Sequence, residues 1–164
     1  MSSALGEGLP LRRKDQPEYL AWATESFRLA TSSVANTTEV HTHMCYVEFS
    51  DLLDAIRDLD VDAISIEAAR SGMSVLEALA SSSILAQVGP GVYDIHAPLT
   101  PSIAAMVMYL EEAASMFPID RLWVNPDWGL KTRTWDQVVP ALENMVAAAS
   151  IVRSRVQSVS EARA

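Results

Sequence analysis

Cysteine is almost missing from this sequence: 164 residues carry one, along with three histidines. A single cysteine excludes an internal disulfide framework and sets the expectation of a reducing, cytoplasmic compartment. Long apolar runs are missing too. None approaches the roughly 20 residues a membrane span needs, so no membrane partner is expected. The opening MSSALGEGLPLRRKDQ has no apolar core behind its basic residues, so no secretory leader is expected. Basic residues are scarce, with 12 Lys and Arg against 21 Asp and Glu and a net charge of −9. That balance opposes nucleic-acid binding, which needs basic surface to neutralise phosphates. The compact basic clusters are Arg12, Arg13, Lys14 and Lys131, Arg133. Each reads as solvated surface or as a local grip on a polyanionic small molecule. Hydrophobic residues make up 49% of the chain, enough for one globular domain with a real core.

Helix and strand signals alternate. Asp15 and Pro17 mark a helix start, and apolar residues at helical spacing carry it to about Val34. EVHTHM reads as a strand, VEFSDLLDAIRDLD as a helix and DAISIEA as a second strand. SVLEALASSSIL is helical with Ser74 as its cap, and QVGPGVYDI is a third strand with a Gly-Pro-Gly interruption. PSIAAMVMYLEEAASMF is helical, RLWVNP is a fourth strand, and the last helix starts near Thr134 with Pro140 in its first turns. One helix followed by four strand–helix units predicts an α/β fold with a parallel sheet. The expected domain covers residues 1–155, with 156–164 as a frayed tail.

In parallel sheets of this kind, chemistry gathers at the carboxyl ends of the strands. His43 and Cys45 end the first strand, Glu67 the second, Asp94 and His96 the third, and Asn125, Asp127 and Trp128 the fourth. His41, His43 and Cys45 share a face if HTHMCY is extended. Imidazole, thiolate and carboxylate are good zinc ligands. A buried small thiol beside a hydrogen-bonded histidine, or a Cys–His nucleophile pair, fits the same residues. Glu67 at the next strand end favours the metal, because adjacent strand ends can share one ion. The methionines at helical spacing, Met106 and Met108 among them, read as core filler. Trp123 reads as strand packing, and Asp94 as a turn cap.

HTHMCY, ISIEAARS, GPGVYDIHAP and LWVNPDWGLKTR, with ALGEGLPLRR near the start, closely resemble the carboxyl-terminal part of the cobalamin-independent methionine synthases. The resemblance runs from about Ala4 to Arg153, in the same order and with nearly the same spacing. It implies four βα units of a (β/α)8 TIM-like barrel, a half-barrel with helices on its outer face. It implies zinc as cofactor, and methyl transfer from 5-methyltetrahydrofolate polyglutamate to homocysteine to make methionine, in methionine biosynthesis. The family's ligands fall on His43, Cys45 and Glu67, its proton donor on His96, and a folate-contacting glutamate on Glu7. Its fourth ligand, a cysteine, falls on Trp128, whose indole offers only an N–H and cannot ligate zinc. His41 and Asp127 are the candidates for a substitute. Half a barrel further implies a truncated copy, completed by a second copy in a homodimer or by a complementary half-barrel chain. A non-catalytic or repurposed half-barrel is the alternative.

Overall fold

The computed structural model describes residues 11–44, 52–71, 73–97 and 99–161. Its regular elements follow chain order. Helix α1 spans Gln16–Thr31, strand β1 His41–Met44, helix α2 Leu53–Asp58 and strand β2 Ala63–Ile66. Helix α3 spans Ser74–Ala80, strand β3 Gln87–Pro90, helix α4 Ile103–Met116 and helix α5 Trp135–Glu161. The three strands form one parallel sheet in the order β1-β2-β3, with His41 opposite Ala63 and Ala63 opposite Gln87. Chain order equal to spatial order, with a helix between each pair, is the βα succession of a barrel wall.

The expected fourth strand lies beside β3 but forms no continuous ladder. Residues 122–125 join it through two isolated parallel bridges, Val88 to Leu122 and Gly91 to Asn125. Backbone bonds continue the alignment, from Trp123 N–H to Val88 O at 2.9 Å and from Asp127 N–H to Tyr93 O at 2.9 Å. Two features thin the ladder. Pro126 offers no N–H, and the Asn125 side chain leans over Gly89, where a Cβ would stand 2.2 Å from its Oδ1.

Other boundaries moved for local reasons. Ser74 is the first residue of α3 rather than its cap. Met73 precedes it in the left-handed region at φ 65°, and Ser74 Oγ bonds back to Ser71 O. Helix α3 stops short of Leu85 because Ser81 and Ser82 turn their hydroxyls onto Glu77 O and Leu79 O, offering the backbone an alternative to further turns. Ser102 caps α4, accepting from Ala105 N–H at 3.2 Å. Helix α5 runs from Trp135 to Glu161. Of the second helical stretch, residues 47–51 lie outside the described residues.

Strand alternation decides which side chains face what. Met44, Ile64, Ile66 and Val88 point to the helices and are at most 2% exposed. There they join one apolar core with Ile56, Leu76, Met106, Leu110, Ala141 and Ala148. Met106 is core, whereas Met108 is 57% exposed. The opposite face carries His41, His43, Ser65, Gln87, Trp123 and Asn125 instead. On that face His43 bonds Ser65, Trp123 Nε1 donates to Gln87, and the rings of His41 and Trp123 meet edge-to-face at 5.2 Å. Neighbouring strands lie about 4.8 Å apart, so a flat sheet would hold β1 and residues 122–125 about 14 Å from each other. Their touching rings show that the sheet is curled, with this polar face on the inside. Among the described residues, no helix is long and apolar enough to cross a membrane.

Gly91 tests the packing at the carboxyl end. A Cβ there would stand 1.9 Å from Asp127 Oδ1 and 2.7 Å from Asp127 Cα. Gly91→Ala is expected to cost about 3 kcal/mol of unfolding free energy, read by urea denaturation. A cost below about 0.5 kcal/mol, typical of an inert surface position, would contradict this close approach.

Candidate functional site

The carboxyl end of the sheet is built around His43. Its position on β1 points it to the inner face, directly opposite Ser65 in the register. Nδ1 of His43 lies 2.9 Å from Ser65 Oγ, and Ser65 Oγ lies 3.3 Å from Thr42 O. The hydroxyl proton goes to that carbonyl, so Ser65 Oγ accepts from Nδ1–H. This fixes the tautomer and leaves a lone pair on Nε2. Nε2 is buried and has no hydrogen-bond partner among the described residues. Burial lowers the His43 pKa from its ordinary 6.5, and the nearby Glu67 carboxylate opposes that shift. A half-buried imidazole with a lowered pKa, presenting a buried, unpartnered Nε2 near a carboxylate, has the chemistry a divalent metal ligand requires.

Glu67 follows β2 directly, its N–H bonded to Met44 O at 3.1 Å. The loop behind it is held by Asp127, which is fully buried. Asp127 Oδ1 accepts from Ala68 N–H at 2.9 Å and Ala69 N–H at 3.1 Å, and Oδ2 from Arg70 N–H at 3.2 Å. Burial raises the Asp127 pKa, the three amides pull it back, and the charge of Glu67 adds to the rise. Met73 closes the same loop, fully buried at positive φ, with its N–H on Ala68 O at 3.0 Å. A left-handed methionine is strained and persists only where its surroundings over-determine it.

His96 sits in the loop after β3. Its N–H donates to Asp94 Oδ1 at 2.8 Å, and Ala97 N–H to Asp94 O at 3.1 Å, so Asp94 is the turn cap the sequence suggests. The His96 ring meets the edge of Trp128 at 5.7 Å. Arg133 turns inward and donates to Ile95 O and Ala97 O.

His43, Glu67 and Asp127 thus form one electrostatically linked group, and His96 pairs with Trp128 beside it. Asp127 has both oxygens committed to backbone amides, which makes it a brace for the Glu67 loop rather than a substitute ligand. His41 turns to Glu39, 3.2 Å away, and to Trp123. Trp123, 46% exposed, is part of the inner face rather than strand packing. Cys45 and Glu7 lie outside the described residues. Among the described residues no group of three or more His, Cys, Asp and Glu could hold a metal ion.

Sequence reasoning missed Ser65, Arg121 and the inward reach of Arg133. Ser65 left a trace, as the one polar residue in AISI. The arginines left none, because their partners are backbone carbonyls. Arg121 Nη2 donates to Ile84 O at 3.0 Å and Ala86 O at 2.8 Å.

A curled parallel βα sheet with polar groups gathered at its carboxyl end is the arrangement of the (β/α)-barrel proteins. The family model described as "Cobalamin-independent synthase, Catalytic domain" matches residues 2–151. The chain belongs to that family. It is 53% identical over 153 residues to a 5-methyltetrahydropteroyltriglutamate–homocysteine methyltransferase of Saccharophagus degradans, covering 93% of this chain and 20% of the relative. It is 52% identical over 152 residues to the protein of the same name from Acidithiobacillus ferrooxidans, covering 93% of this chain and 19% of the relative. The chain therefore spans about one fifth of the length of these curated relatives. A solved B12-independent methionine synthase from Shewanella sp. W3-18-1, in complex with selenomethionine, has the same fold. It aligns with TM-score 0.75 at 17% identity, over 87% of this chain and 46% of that one.

Two outcomes test this geometry. Asp127→Asn turns one acceptor oxygen into an amide donor facing backbone N–H groups. It is expected to cost about 1–3 kcal/mol in urea unfolding, whereas a cost within about 0.5 kcal/mol would mean that the carboxylate does not hold the loop. The second concerns His43 in metal-free protein. Its folded pKa lies below its unfolded value of 6.5, so below that pH the unfolded chain binds the extra proton first. Stability is then complete above about pH 6.5 and falls as pH drops through the lowered folded value. The urea midpoint is expected to fall on acidification across that window, and His43→Gln to flatten the slope. An unchanged slope in the variant would contradict the burial.

Proposed function

We infer that this chain forms the metal-binding side of a homocysteine methyltransferase, acting on 5-methyltetrahydropteroyltriglutamate as methyl donor and giving methionine. The observation that carries this reading is the buried Nε2 of His43, with Nδ1–H fixed by Ser65 and Glu67 alongside. The donor chemistry suits zinc. His43 and Glu67, with Cys45 assigned from the sequence motif, would hold it. Three protein ligands with an open position is a catalytic arrangement rather than a closed structural one. Zinc, when bound, lowers the pKa of the homocysteine thiol so that the thiolate forms near neutral pH.

The other roles belong to the chain's own side chains. As the methyl–nitrogen bond of the folate breaks, the electron pair stays on nitrogen, and the His96 imidazole supplies a proton there. Glu7, by sequence motif, contacts the folate. The Trp128 ring, against His96, excludes water from that side. Trp128 also removes the thiolate that the family motif carries at this position, and with it some metal affinity. The inner face is polar, and among the described residues the sheet has three strands in the order β1-β2-β3, so a partner completing the barrel is part of the proposal. That partner is a second copy or a complementary half-barrel chain. The edge-to-face contact of Trp128 with His96 favours a second reading, a repurposed or non-catalytic half-barrel that keeps the fold and loses methyl transfer.

Metal analysis separates the readings. Purified chain is expected to bind one zinc, to lose it in His43→Ala, and to bind it more tightly in Trp128→Cys. Ser65→Ala is expected to lower zinc affinity about 10–100-fold by releasing the His43 ring. Wild-type protein that takes up no zinc from solution would overturn the proposal and leave the second reading.

A further inference from the structure

We propose that Arg133 is a positioning residue for His96, setting its imidazole from behind the loop. The two carbonyls that accept from its guanidinium, Ile95 O and Ala97 O, belong to the residues on either side of His96. One rigid, planar fork therefore holds the peptide plane that leads into the histidine, through Ile95 O, and the chain one residue past it, through Ala97 O. Asp94 fixes the same loop from its other side, through His96 N–H and Ala97 N–H. Arg133 is itself held, because the short helical turn Leu130–Thr132 ends with its N–H on Leu130 O at 2.9 Å. The chain then enters α5, packed into the core through Val138, Ala141 and Met145. The imidazole is clamped by its backbone, while its ring stays against Trp128.

The surface-cation reading of this arginine fails on the same geometry. Arg133 is only partly exposed and spends donors on backbone, whereas Lys131 two residues earlier is exposed. A lysine in place of Arg133 carries the charge but not the fork, so it cannot hold two carbonyls at a fixed separation. The molecule also supplies an internal control. Arg121 also bridges two carbonyls at the opposite end of β3, Ile84 O and Ala86 O, through Nη2 alone, and is remote from His96 along the chain. Removing either arginine takes away two bonds to backbone carbonyls near β3. Only one of them bears on the histidine.

The inference rests on the proposed role of His96 for its catalytic consequence but not for its structural one, and the experiment separates the two. With three histidines in the chain, the ring resonances of His-labelled protein can be assigned by single His→Gln variants. Spectra are recorded for the full-length wild type, Arg133→Lys, Arg133→Gln and Arg121→Lys. Both Arg133 variants are expected to shift or broaden the His96 ring signal while His41 and His43 stay, and Arg121→Lys is expected to leave His96 unmoved. Arg133→Lys retains the fold and keeps the test decisive if Arg133→Gln does not. In turnover, Arg133→Lys is expected to lower kcat on the order of tenfold with KM for homocysteine little changed, as displacement of a positioned group does. An unmoved His96 resonance in Arg133→Lys, or an equal shift in Arg121→Lys, would overturn the proposal. A raised KM for the polyglutamate with His96 unmoved would do so too, showing an anion grip instead. If the wild type shows no turnover, the functional reading fails while the spectra still decide the clamp.

Discussion

One buried carboxylate ties the carboxyl end of this sheet together. Asp127 leaves the fourth segment, crosses above Gly91, and accepts three consecutive amides from the loop that carries Glu67. Burying a carboxylate is costly unless its lone pairs are filled. Here backbone donors fill them, and the result is a geometric constraint. The loops after the second strand and the fourth segment cannot move independently, and Gly91 can carry no side chain between them. The residues from 125 to 133 then serve as a brace. Asp127 holds the Glu67 loop, Trp128 meets the His96 ring, and Arg133 holds the His96 backbone.

That brace supports an unusual surface. The helix side of the sheet is an ordinary apolar core, but the inner side is lined with imidazole, hydroxyl, amide and indole groups. In a closed barrel such layers are interior. Curling brings His41 within ring contact of Trp123 across the sheet, so side chains from its two outer strands already share one layer. The next layer holds His43 and Ser65, whose bond orients the imidazole. The order of these layers makes the face directional, packed rings at one end and the buried His43 Nε2 at the other.

Much of this was legible in the sequence, for physical reasons. Strand and helix alternated clearly because apolar residues recur with periods of two and 3.6, and each strand ended in a polar residue that a parallel sheet does not need there. HTHMCY with Glu67 favoured a metal over a buried thiol or a nucleophile pair, and the Glu67 charge acts on His43. What sequence could not carry was anything addressed to the backbone. The amides on Asp127 and the carbonyls on Arg133 have no residue signature, so Asp127 read as a spare ligand and Arg133 as a surface cation or an anion grip. The fourth strand read as a full strand because its alternation is intact. Its ladder is thinned by Pro126 and by the lean of Asn125, which only packing reveals. Trp128 stood out through the family motif, and its ring contact with His96 needed coordinates.

The proposed zinc site around His43 lies in a chain that has tryptophan where a fourth ligand would be. Zinc-edge X-ray absorption on the zinc-loaded, full-length protein tests it most directly. One sulfur scatterer together with nitrogen and oxygen scatterers, the sulfur lost in Cys45→Ser and the imidazole signature lost in His43→Ala, is the expected result. A zinc shell without sulfur or imidazole, or unchanged by those two substitutions, would contradict it.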